Sequence, residues 1–553
     1  MNDLYNSKKV IWSLLAAFAI VWLYMLGVRT LVPPDEGRYA EMAREMLVTG
    51  DWITTRLNGI KYFEKPPLQT WMNAATFALF GLGEWQARLW TGLCGLGGVL
   101  LTGHAGRRVF GARAGFYAAL VLGSSLFWVA SGQIDSLDMS LSGMMTIALC
   151  ALLIAQRDQA TAAENRNWML LCWAGMALAV LAKGLIGVVL PGAVLVLYSA
   201  LSRDLAIWKR LHLVKGLLLF FAIATPWFVL VALKNPEQPH FFFVHEHWER
   251  FFLKTHHREG PWYYFFIMLV PGILPWLGVL PQALLSGARR QAGAAFQPKL
   301  LLLIWAVFIF FFFSYSSSKL PGYILPVFPA LALLIGPYLE HASRLNRMIA
   351  AALMVVIGVA AVAAVPHLFG PDGRHPAELA LLKAYQPWVL AAGIVAAAAG
   401  ALALLHARQL RRDLTVLTLA IAGFAATELI LAGFEPYGQL RAGKDMALKI
   451  LPELKPDTPL YSVRTYEQSM IFYLQRTATL VDYGDELTFG LRQQPELSIP
   501  TIDGFITRWN QHTAAGVKAL AIVSERAYAE LKTRGLTMRV LQEDSRRIVI
   551  TNQ

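Results

Sequence analysis

Two pairs of acidic residues stand out because each lies where a long hydrophobic run begins or ends. Asp35 and Glu36 open a polar loop directly after the first such run, and Asp135 and Asp138, in the segment IDSLDMS, enter a later one. Either pair could cap a helix, a common use of acidic residues at helix starts. A carboxylate beside the bilayer interior is costly without a partner or a polar cavity, however. The two pairs therefore favour one shared polar cavity with four candidate catalytic carboxylates.

Residues suited to binding a phosphate lie in three segments. Lys65 and Lys319 each precede a proline-containing turn, EKPPL and KLPGYILP, that would hold the ammonium group at a fixed height. Either lysine could instead be an interfacial residue reaching toward the lipid headgroups. Fixed cations with phenolic donors suit a phosphate, and an arginine adds bidentate binding. The candidate phosphate-binding residues are Lys65, Arg250, Tyr62, Tyr323 and Lys319.

Histidines in the segment from Asn235 to Trp262 raise the separate question of a metal ion. His245 and His247 form an HxH pair, and Glu64 could complete a site for a divalent cation. The spacing is not that of HExxH, so histidines packed among interfacial aromatic residues are the alternative. We expect that no cofactor is required. A divalent metal ion bound by these three residues is an additional hypothesis.

The composition indicates that membrane-spanning helices position these residues. The chain has 553 residues, of which 56% are hydrophobic and 15% charged, and its mean hydropathy of +0.47 places it among polytopic membrane proteins. Its net charge of +13 is spread in small basic clusters between hydrophobic runs. That is the positive-inside pattern, which argues against nucleic-acid binding.

The hydrophobic runs predict about thirteen transmembrane helices. The first follows Lys8 and Lys9, so it is predicted to be a retained signal anchor with a cytoplasmic N-terminus. Segment 66–82 is short and is assigned to an interfacial helix, and the chain is divided into two spans at Lys183-Gly184. The predicted spans are 10–31, 86–105, 114–131, 137–156, 168–182, 185–201, 213–233, 264–286, 299–314, 321–339, 347–366, 387–406 and 413–433. An odd count places the C-terminus outside.

Two domains are predicted, a transmembrane domain over residues 1–434 and a periplasmic α/β domain over 435–553. In the first, loop 32–85 contains a predicted amphipathic helix at the membrane surface, with Ala40 and Ala43 on its apolar face and Glu41 and Glu45 on its polar face.

The second predicted domain alternates strand-like and helix-like segments. The runs PLYSV, ATLVDY, KALAIV and RRIVIT are typical of strands, and EQSMIFYLQ and ERAYAELKTRG of helices. This alternation predicts a mixed sheet. We expect this domain to serve folding or docking rather than chemistry.

The predicted topology brings four polar segments to one side of the membrane. These are the first loop, IDSLDMS, the loop from Asn235 to Trp262, and SYSSSKLPGY. Their convergence favours an active site where the membrane meets the periplasm. A secondary transporter, with Asp135, Asp138 and Lys183 as its ion path, is the alternative from another class; transporters more often place polar residues at the midplane between repeated halves.

The motifs PDEGRYAEMAREM, YFEKPPLQTW, IDSLDMS and SSSKLPGYILP resemble those of a known family. They are similar to the bacterial branch of the protein O-mannosyltransferase-like, GT-C fold glycosyltransferases, and more narrowly to the lipid A 4-amino-4-deoxy-L-arabinose transferases. The resemblance implies an inner-membrane enzyme that transfers a pentose from undecaprenyl phosphate to a lipid A phosphate and confers resistance to polymyxin-type peptides.

The resemblance also implies roles for individual residues. Asp35 is the first-loop acid near the sugar, Asp138 or Asp135 is the second acid, and Lys65 binds the donor phosphate, assisted by position by Arg250, Tyr62 and Tyr323. A lipid A phosphate is already ionised near neutral pH, so a catalytic base is hardly needed. We expect a monomer with inverting, direct-displacement chemistry. The nearest rival is the same fold acting on a protein or another glycan.

Overall fold

The computed structural model describes residues 5, 7–249, 260–368, 370 and 375–553. Within these ranges, eight helices are long and apolar enough to cross a membrane, and two bent helix pairs bring the number to as many as ten. The eight helices are Lys8–Met25, Leu137–Ala155, Leu213–Lys234, Pro298–Tyr315, Pro321–His341, Arg344–Leu368, Pro376–Arg408 and Arg412–Gly433. The bent pairs are Ala112–Leu122 with Leu126–Gly132, and Tyr264–Gly272 with Trp276–Gly287. The chain is therefore an integral membrane protein with a mostly helical fold, as predicted.

Three more predicted spans are also helices. Glu84–Phe110 and Ala162–Lys183 carry several charged residues, and Ile186–Ser202 has 17 residues, so these three fall short of a simple apolar span. The predicted division after Lys183 is confirmed, because the chain turns at Gly184, whose φ of +98° favours glycine. The total of thirteen spans stays a prediction.

The first loop contains two helices joined by a small β-hairpin. The helix Asp35–Thr49, which we call the loop helix, and the helix Leu68–Phe80 confirm the two helical segments predicted here. Between them Arg56–Leu57 pairs antiparallel with Ile60–Lys61. The turn residues Asn58 and Gly59 both have positive φ, the conformation that an Asn-Gly hairpin turn adopts.

The C-terminal part folds around a six-stranded mixed sheet, as predicted. The four predicted strands are Leu460–Val463, Thr479–Val481, Leu520–Val523 and Ile548–Thr551, and two further strands are Ser498–Ile499 and Arg539–Glu543. The first three and Ser498–Ile499 run parallel, while Ile548–Thr551 and Arg539–Glu543 pair antiparallel at one side. The helices are Glu435–Ala442, Lys444–Ile450, Gln468–Leu474, Thr488–Gln493, Ile502–Ala514 and Glu525–Thr533.

The two faces of this sheet pack against different partners. One face is covered by the domain's own aromatic residues, among them Phe505 and Trp509. The other face forms a single apolar cluster with the first loop, including Tyr39, Met42 and Tyr62. The first loop therefore completes the core of the C-terminal domain.

This packing corrects the prediction of a loop helix with a solvated polar face. Glu41 and Glu45, placed by sequence on the polar side, are buried, with 0% and 4% of their surfaces exposed. The opposite face, with Ala40 and Ala43, packs against the helix Leu68–Phe80. Both sides of the loop helix are covered, because the helix Gln468–Leu474 lies across the face that the sequence assigned to water.

Each of the two buried glutamates has its own hydrogen-bond donor. Arg44 donates to both carboxylate oxygens of Glu41, at 2.7 and 2.6 Å, and the Gly59 amide donates to Glu45 at 2.7 Å. Burial, with a smaller contribution from the Glu41 charge, raises the pKa of Glu45 from 4.5 to about 8. Near neutral pH the folded protein thus holds a proton on Glu45 that the unfolded chain releases.

We expect this proton to make stability fall as pH rises. A carboxyl group whose pKa is raised on folding contributes stability that is complete below the unfolded pKa of 4.5 and is lost as pH rises through about 8. Glu45→Gln should therefore raise Tm by a few degrees at pH 8.5 and change it little at pH 5. Thermal unfolding in detergent micelles across this pH range measures the effect, with the exposed Glu496→Gln as the matched control. Parallel Tm curves for the two variants would contradict it.

Candidate functional site

The four polar segments singled out in the sequence meet at one cavity of about 150 Å³. The first loop contributes Asp35, Glu64 and Lys65, the IDSLDMS segment contributes Asp138, and Glu246 comes from the long loop. The remaining polar residues lining it are Arg38, Tyr39, Ser136, Lys183, Ser316, Ser318 and Tyr323. The cavity therefore combines carboxylates, cations and phenols at one end of the helix bundle.

Asp35 is held on one side and open on the other. Arg38, one helical turn later, donates to Asp35 Oδ1 at 2.7 Å. The same guanidinium reaches Glu486 of the C-terminal domain at 2.6 Å. Because the Asp35 side chain remains 54% exposed, its carboxylate can still meet a ligand in the cavity.

Asp138 is paired with a lysine that sequence reasoning considered only as part of an ion path. The Lys183 ammonium contacts the Asp138 carboxylate and lies 4.6 Å from the centre of the Tyr323 ring. Gly322 packs directly on this carboxylate, and a Cβ there would lie 2.4 Å from Asp138 Cγ. The sequence signal for this contact was Lys183 at a helix break, followed by Gly184.

Lys65 is engaged by a buried glutamate. Its ammonium donates to Glu246 Oε2 and to the Glu64 carbonyl, both at 2.8 Å. The Glu246 side chain is 2% exposed and that of Lys65 is 16% exposed, so this pair is shielded from water. Glu246 was not among the predicted site residues, since nothing in its local sequence distinguishes it from Glu249.

Two predicted catalytic carboxylates lie behind the cavity. Arg88 donates to both oxygens of Glu36, at 2.6 and 2.9 Å, and lowers the pKa of Glu36 although burial alone would raise it. Asp135 accepts from Gln69 at 2.7 Å and Asn73 at 2.8 Å. Burial raises the pKa of Asp135, and the nearby Glu36 charge adds to this. Neither carboxylate lines the cavity.

Two predicted phosphate ligands also point elsewhere. Lys319 donates to the carbonyls of Ser314 and Ser316, at 2.8 and 2.7 Å, and so closes the end of the helix Pro298–Tyr315. Tyr62 is buried in the apolar cluster beneath the C-terminal domain. The structure thus brings Lys65 and Tyr323 to the cavity but not Lys319 or Tyr62.

The remaining predicted residues are Arg250 and the three candidate metal ligands. Arg250 and the side chains of His245 and His247 lie outside the described residues, whereas Glu64 lines the cavity. Among the described residues there is no group of three or more histidine, cysteine, aspartate and glutamate residues that could hold a metal ion. The divalent site therefore stays a prediction.

Comparison with known proteins places this cavity in a family context. Residues 446–552 match the family described as the aminoarabinose transferase C-terminal domain, and residues 9–242 match dolichyl-phosphate-mannose-protein mannosyltransferases. An undecaprenyl phosphate-alpha-4-amino-4-deoxy-L-arabinose arabinosyl transferase from Edwardsiella ictaluri is 31% identical over 78% of this chain and 79% of its own length.

Solved structures show the same relationship. The crystal structure of ArnT from Cupriavidus metallidurans bound to undecaprenyl phosphate is 39% identical, covers 99% of both chains and has a TM-score of 0.92. An oligosaccharyltransferase from Archaeoglobus fulgidus is 12% identical with a TM-score of 0.51 over 94% of this chain, a likeness of fold alone.

We expect Gly322→Ala to destabilise the folded protein by about 1–3 kcal/mol, the usual cost of overpacking. The added methyl would force Asp138 away from Lys183 or shift the backbone. Thermal unfolding in detergent measures this, with Gly97→Ala as the control because a Cβ at Gly97 meets no atom within 4 Å.

The double variant Gly322→Ala/Asp138→Ala tests the cause, since removing the carboxylate should relieve the contacts with Cγ and Oδ2 and leave only the approach to Asp138 Cβ at 2.7 Å. The double variant should then lose less Tm than the sum of the losses in the two single variants. A Gly322→Ala variant as stable as Gly97→Ala would show that this contact is not tight.

Proposed function

Because the chain belongs to the undecaprenyl phosphate-aminoarabinose transferase family, we propose that it transfers 4-amino-4-deoxy-L-arabinose from undecaprenyl phosphate to a phosphate of lipid A. The chain is a membrane glycosyltransferase of the GT-C fold that uses a lipid-linked donor. The observation that carries the choice of site is that one cavity brings the carboxylates of Asp35 and Asp138 together with the ammonium groups of Lys65 and Lys183.

We place this reaction on the periplasmic side of the bacterial inner membrane. The basic clusters between the hydrophobic runs support a cytoplasmic position for the opposite ends of the helices. Adding an aminopentose makes the lipid A surface less negative and so weakens the binding of polymyxin-type cationic peptides. The protein acts as a monomer in this proposal.

The chemical step is a direct displacement at the anomeric carbon. A lipid A phosphate oxygen forms a bond to this carbon while the bond to the undecaprenyl phosphate oxygen breaks, which inverts the configuration. The attacking phosphate is already ionised near neutral pH, so no proton has to be removed. The electron pair of the broken bond leaves with undecaprenyl phosphate, and no cofactor is needed for the balance.

The two carboxylates act through their charge. Asp35 and Asp138 are each paired with a cation, Arg38 and Lys183. A fixed negative charge beside the sugar stabilises the positive charge that develops at the anomeric carbon, or binds the amino group of the donor. Asp135 and Glu36 support this arrangement from behind.

The basic side of the cavity stabilises the departing phosphate. Lys65 and Tyr323 line it, and Arg250 belongs to the neighbouring loop. A donor phosphate competes with the Glu246 carboxylate for Lys65, because both are anions attracted to one ammonium group. Lys319 holds the surrounding backbone through the Ser314 and Ser316 carbonyls, and Tyr62 packs in the apolar cluster. A divalent ion at Glu64, His245 and His247 is an addition that the displacement does not require.

We expect Glu246→Gln to bind undecaprenyl phosphate about five- to tenfold more tightly, a gain of roughly 1–1.4 kcal/mol. The substitution removes the competing carboxylate and one negative charge from the phosphate site. Titration calorimetry in detergent measures the affinity. Glu237→Gln is the matched control, because Glu237 pairs with Lys61 at 2.7 Å and does not line the cavity. Equal affinities for the two variants would contradict the competition.

The transfer itself is tested by mass spectrometry of lipid A. Cells that lack the chromosomal enzyme are exposed to polymyxin while they carry the intact chain or a variant. We expect an added aminopentose with the intact chain, and a loss of about a hundredfold or more with Asp35→Ala or Lys65→Ala. Lys61→Ala, four residues before Lys65 and outside the cavity lining, should retain the product.

Protein abundance has to be equal across these strains. Unmodified lipid A from the well-expressed intact chain would remove lipid A as the acceptor and favour a protein or another glycan. A protein acceptor would also make the rate depend strongly on a base, since a hydroxyl or amide group has to lose a proton.

A further inference from the structure

A second, larger cavity lies between four membrane helices. It has a volume of about 670 Å³ and is bounded by Lys8–Met25, Glu84–Phe110, Ala112–Leu122 and Arg412–Gly433. Nearly all its lining residues are apolar, and in the described part of the chain it shares none of them with the site above. We call it the helix groove. The proposed transfer reaction makes no use of it.

The helix groove is closed at one end by aromatic rings. The ring centres of Phe18 and Phe424 lie 4.8 Å apart, and Trp22 lies 5.4 Å from Phe18 behind them. One wall is formed by two helices in direct contact at Gly103, where a Cβ would lie 2.9 Å from Ala119 Cβ. The groove therefore has a closely packed wall and an aromatic end.

The other end of the helix groove is basic. His104 and Arg107 line it near the end of Glu84–Phe110, which we propose to face the cytoplasm. Arg107 is exposed and makes no ion pair with any described residue. Its neighbours differ, since Arg108 pairs with Glu164, and Arg113 lies 3.6 Å from Asp413 and 4.4 Å from the centre of the Tyr5 ring. Arg107 is thus a cation whose charge the surrounding described residues leave uncompensated.

A deep apolar groove with one free cation at its headgroup end fits a single class of occupant. Basic pockets between helices on the cytoplasmic side of a membrane recognise anionic lipid headgroups. A further transmembrane helix, about 10 Å across, is a much bulkier occupant than an acyl chain. Acyl chains are thin enough to enter and are apolar like the walls.

We propose that the helix groove binds one anionic glycerophospholipid, with its acyl chains between the helices and its phosphate on Arg107. Bound there, the lipid joins the first helix to Arg412–Gly433, next to the helix Glu84–Phe110 that supports the first loop. This proposal is independent of the transfer reaction, because none of its residues belongs to the active-site cavity.

Native mass spectrometry of the full chain tests this lipid site. The protein is equilibrated in detergent with dioleoyl phosphatidylglycerol or with dioleoyl phosphatidylcholine, which differ in headgroup charge but not in acyl chains. We expect the chain to retain one phosphatidylglycerol more than phosphatidylcholine. Arg107→Gln should lower that retention about fivefold, as expected for the loss of one basic contact to a headgroup.

Two further variants separate the possible outcomes. Arg289→Gln removes another exposed arginine outside the groove and should leave retention unchanged. Ala17→Trp fills the groove and should lower retention as much as Arg107→Gln does, with an unchanged elution profile as the control for folding. Equal retention of the two lipids would overturn the proposal, as would a loss confined to only one of Arg107→Gln and Ala17→Trp.

Discussion

The arrangement of this protein depends on one buried ion pair, between Arg88 and Glu36. Arg88 is fully buried and donates to both Glu36 oxygens and to the carbonyls of Leu26, Arg29 and Thr30. Glu36 in turn accepts from the amide of Asp135 at 3.0 Å. A buried pair of this kind adds little net stability, because desolvation offsets the attraction. Its effect is geometric, since it joins the end of the first helix, the loop helix and the IDSLDMS segment.

The same geometry explains how residues far apart in sequence share one cavity. Asp35 is next to Glu36, and Asp138 is three residues after Asp135. The hydrogen bond from the Asp135 amide to Glu36 therefore also holds together the two segments that carry the cavity carboxylates. The C-terminal domain then covers the loop helix and brings Glu486 to Arg38. A domain expected to serve only docking thus also contributes to the electrostatics of the site.

Six of the charged residues that line the cavity form three ion pairs. Asp35 is with Arg38, Asp138 with Lys183, and Lys65 with Glu246. Such pairing limits the cost of holding several charges away from water. It also means that a charged ligand competes with these partners for the same groups.

The sequence by itself determined the features that arise from local patterns. Hydrophobic runs set the membrane helices, short β-rich runs set four strands of the C-terminal sheet, and the turns after Lys65 and Lys319 are recognisable from their prolines. The hairpin at Asn58-Gly59 has an equally local signal in its Asn-Gly turn. The family motifs pointed to Asp35, to Lys65 and to Asp138 or Asp135, and Tyr323 was assigned by its position. Asp35, Asp138, Lys65 and Tyr323 line the cavity.

Only the tertiary structure decided which charged residues meet. Glu36 and Asp135 look like Asp35 and Asp138 in sequence, yet they turn to Arg88, Gln69 and Asn73, whose positions are 52 to 66 residues away. Lys183 and Glu246 belong to the site for the same reason. The face of the loop helix that the sequence assigned to water is covered by a domain more than 400 residues later in the chain. Local periodicity reports how a segment folds, whereas the partner of a buried charge depends on the packing of the whole chain.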